Sequence, residues 1–239
     1  MTDQKFIDKI KSRGYWRVNI RPVIIPAQDL TLPECKEYIE KSSLELRGWD
    51  YPHIPRRSGD DTGILRHSNF VEAWVDWSYF KEFWRMYKTS QFLHYFGFRI
   101  DWMSEEEPIF GNQERVPEPK TELGVLDTTW QVTEIFEFAS RLVQTGLYDK
   151  GVVIDIALYN LDGRKLTIDN PGRMRFMFDR KTGANDYYYS KILTKEEIIS
   201  NSKSLAYDVI KGIFELFGWD DLPIETIKKD QEDLLSRRF

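Results

Sequence analysis

Apolar residues at three- and four-residue spacing predict two long helices in the second half of the chain. The first runs over about 129–145, behind a capping box formed by Thr128 and Gln131. The second runs over about 195–217, behind a T-x-x-E box, and Gly218 ends it. Each helix has one apolar face, so both should pack on one face of a sheet. Three shorter helices are predicted: about 3–12, about 33–42 behind the box of Thr31 and Glu34, and a last one after Pro223.

Alternating positions rich in aromatic residues predict a β-meander between residues 70 and 102. This segment holds 13 of the 35 aromatic residues of the chain in 33 positions, and such side chains favour a half-buried pleated surface. The predicted strands are 70–77, 82–88 and 91–100, with tight turns near Ser78 and Thr89–Ser90. A helix over 79–96 is the competing interpretation, because several aromatic residues there also have helical spacing.

The two faces of strand 70–77 differ in character, because successive side chains point to opposite faces. One face is uniformly apolar and should face the core: Val71, Ala73, Val75 and Trp77. The other mixes aromatic rings with carboxylates, as the rim of a binding surface would: Phe70, Glu72, Trp74 and Asp76.

Further strands are predicted on both sides of the meander. Residues 152–160 and 164–169 flank Asp162–Gly163, a strong hairpin signal. The other predicted strands are 15–25, 44–51, 173–178 and 186–192.

These elements predict the α+β class, a mostly antiparallel sheet with two long amphipathic helices on one face. An acidic segment with three prolines, 103–121, is the best candidate for a linker or loop. It would divide the chain into an aromatic-rich β-meander module, 1–102, and an α+β module with the two helices and a hairpin, 122–239. One continuous sheet that bridges both halves is also compatible with the pattern.

Composition narrows the class of protein. The 239 residues are 41% hydrophobic and 31% charged, which is too apolar for a disordered chain. The net charge of −5 gives no global attraction to nucleic acid or anionic lipid. A single cysteine, Cys35, excludes an intramolecular disulfide and a cysteine-based zinc site. No signal segment and no membrane-spanning run is present, so a cytoplasmic protein without membrane contact is expected.

Catalytic and cofactor motifs are absent from the sequence, so no cofactor and no metal are expected. There is no G-x-S-x-G and no glycine-rich phosphate loop, and the three histidines match no local metal-binding spacing. The alternative is a metal-dependent nuclease or phosphodiesterase, with Asp155 opposite Lys165 on the hairpin and Glu134 or Glu137 adding a carboxylate.

An aromatic cleft with a few convergent charges is a common design for a small-molecule site, and aromatic residues with arginine are also enriched at protein interfaces. A large aromatic core with ion pairs at its rim is the plainer interpretation. The candidate residues for a ligand or protein partner are Arg47, Trp49, Asp50, His53, Trp74, Asp76, Arg85 and His94; Tyr51, Trp77 and Arg99 share this region.

Two stretches, 5–21 and 164–181, are locally positive in an otherwise acidic chain. Beside the tyrosines at 187–189, the second stretch could bind a phosphate backbone and stack bases, although solvated basic side chains are also ordinary. The candidate residues for nucleic acid or another anion are Arg164, Lys165, Arg173, Arg175, Arg180 and Lys181.

The segments RGYWRVNIRP (13–22), LRGWDYPHI (46–54) and AWVDWSYFKEFWRMYKTSQFLHYFGF (73–98) resemble uncharacterised bacterial proteins that are sometimes found in defence or mobile-element settings. The resemblance implies a prokaryotic accessory or sensor protein and carries no functional residue. The expected function is therefore a non-catalytic recognition, sensor or scaffold protein within a larger assembly. Its expected partner is a protein, a second copy of the chain, a nucleotide-like ligand or nucleic acid.

Overall fold

A computed structural model describes residues 4–105 and 117–237 of the chain. The five helices in this part, named in chain order, are α1 (Gln4–Lys11), α2 (Leu32–Ser42), α3 (Val125–Gln144), α4 (Lys195–Glu215) and α5 (Ile224–Leu235). The strands are β1 (Tyr15–Pro22), β2 (Leu44–Glu45), β3 (Asp50–Tyr51), β4 (Thr62–Arg66), β5 (Phe70–Trp77), β6 (Phe80–Tyr87), β7 (Phe92–Gly97), β8 (Glu122–Gly124), β9 (Val152–Tyr159), β10 (Lys165–Thr167), β11 (Arg180–Lys181) and β12 (Tyr187–Leu193).

The main sheet has seven antiparallel strands in the order β12-β9-β1-β7-β6-β5-β4. The meander β5-β6-β7 confirms the three predicted strands and excludes the competing helix. β1 pairs with β7 on one side and with β9 on the other, so strands from both halves of the chain share one sheet. Of the predicted linker, residues 106–116 lie outside the described part of the chain.

The long helices α3 and α4 pack together on one face of this sheet, which confirms the α+β class. Their apolar residues join the inward-facing residues of β1, β6, β7 and β9 in one buried core. The capping box of α4 forms as predicted, as does that of α2. None of the helices within 4–105 and 117–237 has the length and apolar character needed to cross a membrane.

On the opposite face of the sheet, the short helix α1 lies over β6 and β7. Ile7 and Ile10 of α1 pack there against Phe83, with Trp74 and Tyr95 at the edge of this second cluster.

Four local predictions are wrong. Residues 173–178 form no strand, and 44–51 form the short pair β2-β3 around Gly48, whose φ is +88°. The Asp162–Gly163 turn forms, but β10 pairs with β8 and β11 instead of returning along β9. Helix α3 begins at Val125, where the carboxylate of Asp169 accepts hydrogen bonds from the backbone N–H groups of Leu126 and Asp127, so the predicted Thr128 cap is also wrong.

The two tryptophans of β5 exchange their predicted environments. Val71, Ala73 and Val75 are buried as expected, but Trp77 is 44% exposed. Trp77 is the last residue of β5, opposite Phe80 at the tight turn. Trp74, expected at a binding rim, packs instead against the α1 cluster, with its ring over Gly63.

Trp74→Ala is therefore expected to lower the free energy of unfolding by about 2–3 kcal/mol, because it leaves a cavity under α1. Trp77→Ala should cost less than about 1 kcal/mol, since surface truncations away from the core have small effects. Urea unfolding of the two variants shows directly which substitution lowers the free energy of unfolding more. Equal losses, or a larger loss for Trp77→Ala, would contradict the assignment.

Candidate ligand-binding cleft

A cleft opens at the Phe80 end of β6, between the β2-β3 segment and the first turns of α3. The space inside it is about 30 Å³ for the centres of water-sized molecules, which is room for one or two waters or one small polar group. Its lining comes from five parts of the chain: Trp16, Trp49–Tyr51, Tyr79–Glu82, His94 with Phe96, Gly97 and Arg99, and Asp127 with Gln131 of α3.

Arg99 lies at one wall of this cleft, between aromatic rings. Its guanidinium carbon is 4.1 Å from the ring centre of Trp49 and 5.1 Å from that of Phe80, and the two rings meet edge to face. The nearest carboxylate oxygen among the described residues, Oδ1 of Asp127, is 3.9 Å from Nη1, beyond hydrogen-bond distance. Burial, and then the charge of Arg47, lower the pKa of Arg99 to about 10.

Arg47 lies behind the cleft in a buried network with α3. It donates to both carboxylate oxygens of Glu134, at 3.0 and 2.5 Å, and also to Asp127 and to Oε1 of Gln131. The Arg47 and Glu134 side chains are almost completely buried. The carboxylates of α3 in this network therefore accept their hydrogen bonds from Arg47, and Arg99 keeps only the longer ion pair with Asp127 at 3.9 Å.

A second polar group, on the β6 and β7 side of the cleft, contains Glu82 and His94. Oε1 of Glu82 is 3.0 Å from Nε2 of His94 and accepts a hydrogen bond from the backbone N–H of His53. Burial alone would raise the pKa of Glu82, but His94 and the His53 N–H outweigh it and lower that pKa.

Three buried residues of the cleft carry polar atoms with no hydrogen-bond partner among the described residues. They are the hydroxyl of Tyr51, Nδ1 of His94 and Nε2 of Gln131. Because Oε1 of Gln131 accepts from Arg47, its amide nitrogen is free to donate. Burial raises the pKa of Tyr51 well above its ordinary value, so its hydroxyl stays protonated. The Gln131 amide and the Tyr51 hydroxyl therefore give the cleft two hydrogen-bond donors.

The structure brings together only part of the predicted ligand set. Trp49, Asp50 and His94 line the cleft, with Tyr51 and Arg99 beside them. Arg47 supports the cleft from behind, and His53 contributes its backbone N–H and C=O. Sequence reasoning missed Tyr79, Phe80, Glu82, Asp127 and Gln131; a T-x-x-Q pattern had marked Gln131 as a cap, and nothing in the sequence placed α3 against β3 and β6.

The remaining three predicted ligand residues lie on the opposite face of the sheet, where each has another partner. Asp76 contacts Lys9 at 2.8 Å and Lys81 at 3.2 Å. Arg85 donates to the buried Glu72 and lies over the Phe70 and Phe83 rings. These residues and Trp74 therefore do not contribute to the cleft.

The predicted anion-binding arginines are mostly engaged inside the protein. Arg164 is fully buried and donates to both oxygens of Asp101, at 2.8 and 2.5 Å. Arg173 holds Asp230 with two hydrogen bonds, and Arg180 bonds the Gly218 carbonyl and lies over Phe176 and Trp219.

The other members of this set lie at the surface, where Lys165 pairs with Asp179 at 2.7 Å and Arg175 and Lys181 are exposed. In this segment Arg173 is hydrogen-bonded to Asp230, whereas Met174, Met177 and Phe178 are exposed. One continuous basic surface over 164–181 is therefore not formed.

The residues proposed for a nuclease site lie apart. Asp155 on β9 accepts from Asn19 and Ser190 on the outer face of the main sheet, whereas Lys165 belongs to the three-stranded sheet. Glu134 is held by Arg47. Across residues 4–105 and 117–237, no group of three histidine, cysteine or acidic side chains is arranged to hold a metal ion.

Comparison with protein-family models, with curated proteins and with solved structures finds no match to this chain.

Proposed function

We propose that the protein is a non-catalytic recognition protein that binds a ligand through a carboxylate or phosphate group held in the cleft. One observation carries this proposal. The guanidinium of Arg99, between the Trp49 and Phe80 rings, has no carboxylate within hydrogen-bond distance among the described residues. A guanidinium fork matches an oxyanion in shape and charge.

The neighbouring donors support the same ligand chemistry. The Gln131 amide nitrogen and the Tyr51 hydroxyl are buried in the cleft without a partner among the described residues. Since unpaired buried donors are costly, an oxyanion that accepts from them and from Arg99 gains several hydrogen bonds at once. With a pKa of about 10, Arg99 remains charged at neutral pH.

The cleft is small, so only one part of the ligand can lie inside it. A space of about 30 Å³ for water-sized centres admits the anionic group alone. The rest of the ligand would lie at the mouth, where the partly exposed rings of Tyr79 and Phe80 are in contact. A nucleotide-like ligand has this form, with a compact anion joined to a flat ring.

The cysteine thiol and the carboxylates near the cleft favour recognition over catalysis. Cys35 is buried in α2, and burial raises the pKa of its thiol to about 11, so the thiolate is scarce at neutral pH. Of the carboxylates near the cleft, those of Asp127 and Glu134 are held by Arg47, and that of Glu82 contacts His94. Aromatic rings around an arginine are also what protein interfaces enrich, which fits a protein that acts within a larger assembly.

Isothermal titration calorimetry with adenosine 5′-monophosphate, inorganic phosphate and adenosine tests the proposal. We expect both anions to bind and adenosine to bind at least tenfold more weakly, because charge-assisted hydrogen bonds contribute about 1.5–3 kcal/mol. Arg99→Gln should lose most of the anion affinity, whereas Arg175→Gln, which removes an exposed arginine, should bind like the wild type. Equal binding of adenosine, or unchanged binding by Arg99→Gln, would reject the cleft as the site.

A further inference from the structure

The strand β12 forms one end of the seven-stranded sheet. Within the described residues its only strand neighbour is β9, which leaves the backbone N–H and C=O groups of its other side without a strand partner. Ser190, Lys191 and Ile192 are three consecutive exposed residues on it. An uncovered edge of this kind is a template for pairing with another strand.

The composition of β12 does little to prevent such pairing. Proteins commonly protect sheet edges with short strands, prolines or several charges. β12 has seven residues, no proline or glycine, and Lys191 as its one charge. The opposite edge strand, β4, is shorter, with five residues, and it ends on a charged arginine.

Exposed apolar side chains lie on β12 and also just after the end of β1. On the solvent-facing side, Tyr188 is 64% and Ile192 is 68% exposed. Beyond β9 the exposed residues Ile24 and Ile25 follow β1, held in place by the hydrogen bond from Val23 N to the Gly151 carbonyl. Exposed apolar side chains on an uncovered edge strand favour pairing with another strand.

We propose that β12 pairs antiparallel with β12 of a second copy of the chain, about a two-fold axis at Ser190. The strand complements itself in this register. Tyr188 lies opposite Ile192 of the second copy, an aromatic and β-branched pair of the kind that stabilises sheets. Lys191 lies opposite Tyr189, so no like charges face each other, and the contact is closed and isologous.

Sedimentation velocity of the full chain tests for this dimer. We expect a species of twice the 28.5 kDa chain mass at micromolar concentration. Ile192→Asp should raise the dissociation constant at least about tenfold, since in each copy it replaces the apolar contact with Tyr188 of the other copy by a carboxylate. Ile199→Asp, at an exposed isoleucine of α4, is the matched control and should leave the dimer intact.

A cysteine cross-link tests the register itself. In the proposed dimer, Ser190 lies opposite Ser190 of the second copy, and two directly opposite residues have a Cβ separation close to that of a disulfide. Ser190→Cys should therefore give a covalent dimer under mild oxidation. Tyr188→Cys, two positions away and opposite Ile192, should not, and Cys35 is buried and does not interfere. A monomeric wild type, a dimer that survives Ile192→Asp, or equal cross-linking of the two cysteine variants would each overturn the proposal.

Discussion

Asp101→Ala is expected to lower the free energy of unfolding by about 3–5 kcal/mol, the range found when one partner of a buried ion pair is removed. Its carboxylate accepts from two nitrogens of Arg164 and from the backbone N–H groups of Gly14 and Lys120. Removing it leaves a fully buried guanidinium without its countercharge and two backbone donors without acceptors. Asp101 therefore connects four separate parts of the chain.

Thermal or urea unfolding of three variants checks this expectation. Asp149→Ala removes an exposed carboxylate that pairs with Lys195, and it should change the stability little. Asp101→Leu combined with Arg164→Met removes both buried charges and should cost less than Asp101→Ala alone. A double variant that is less stable than the single one would show that the charge left behind is not the cause.

Arg47→Ala should also cost about 3–5 kcal/mol, because Glu134 is buried and depends on Arg47 for both of its oxygens. The same substitution removes the positive charge that lowers the pKa of Arg99, so that pKa should rise. Arg47→Ala should therefore lower the stability of the protein. It should also make the Gln131 and Asp127 side chains in the cleft less fixed, since each loses a hydrogen-bond donor.

The control for Arg47 is Lys211→Ala, which breaks an exposed pair with Glu215 on α4. Pairs of this kind contribute about 0.3–0.5 kcal/mol. Chemical unfolding monitored by far-ultraviolet circular dichroism compares the two variants. A loss for Arg47→Ala as small as that for Lys211→Ala would mean that Glu134 finds another partner or takes up a proton.

The predictions that succeeded rest on signals within a few residues of one another. The capping box of Thr194 and Glu197 and the tight turns of the meander are local, and both form. Burial of Val71, Ala73 and Val75 follows from alternation along one strand. Such features depend on nearest-neighbour geometry, which a single sequence contains.

The predictions that failed depend on partners far along the chain. Arg173 looked like an anion-binding residue because its partner, Asp230, is 57 positions away. Lys165 left the predicted hairpin because β8, more than 40 residues earlier, offered a parallel partner. The cleft has the same origin, since Arg99, Trp49 and Gln131 meet only after β3, β6 and α3 have packed. The periodicity of a sequence does not show which acidic residue pairs with a given basic residue far along the chain.

The position of β1 affects how the chain folds during its synthesis. Tyr15 lies beside Gly97 on one side and Tyr159 on the other, so one of its two strand neighbours is made about 140 residues later. Long loops must close before such contacts form, and folding is slow when they dominate. While β9 is still being synthesised, β1 and the meander present an unfinished edge to solvent or to other nascent chains. A ribosome paused before residue 152 would prolong this stage, and we expect aggregation of the nascent protein to depend on that interval.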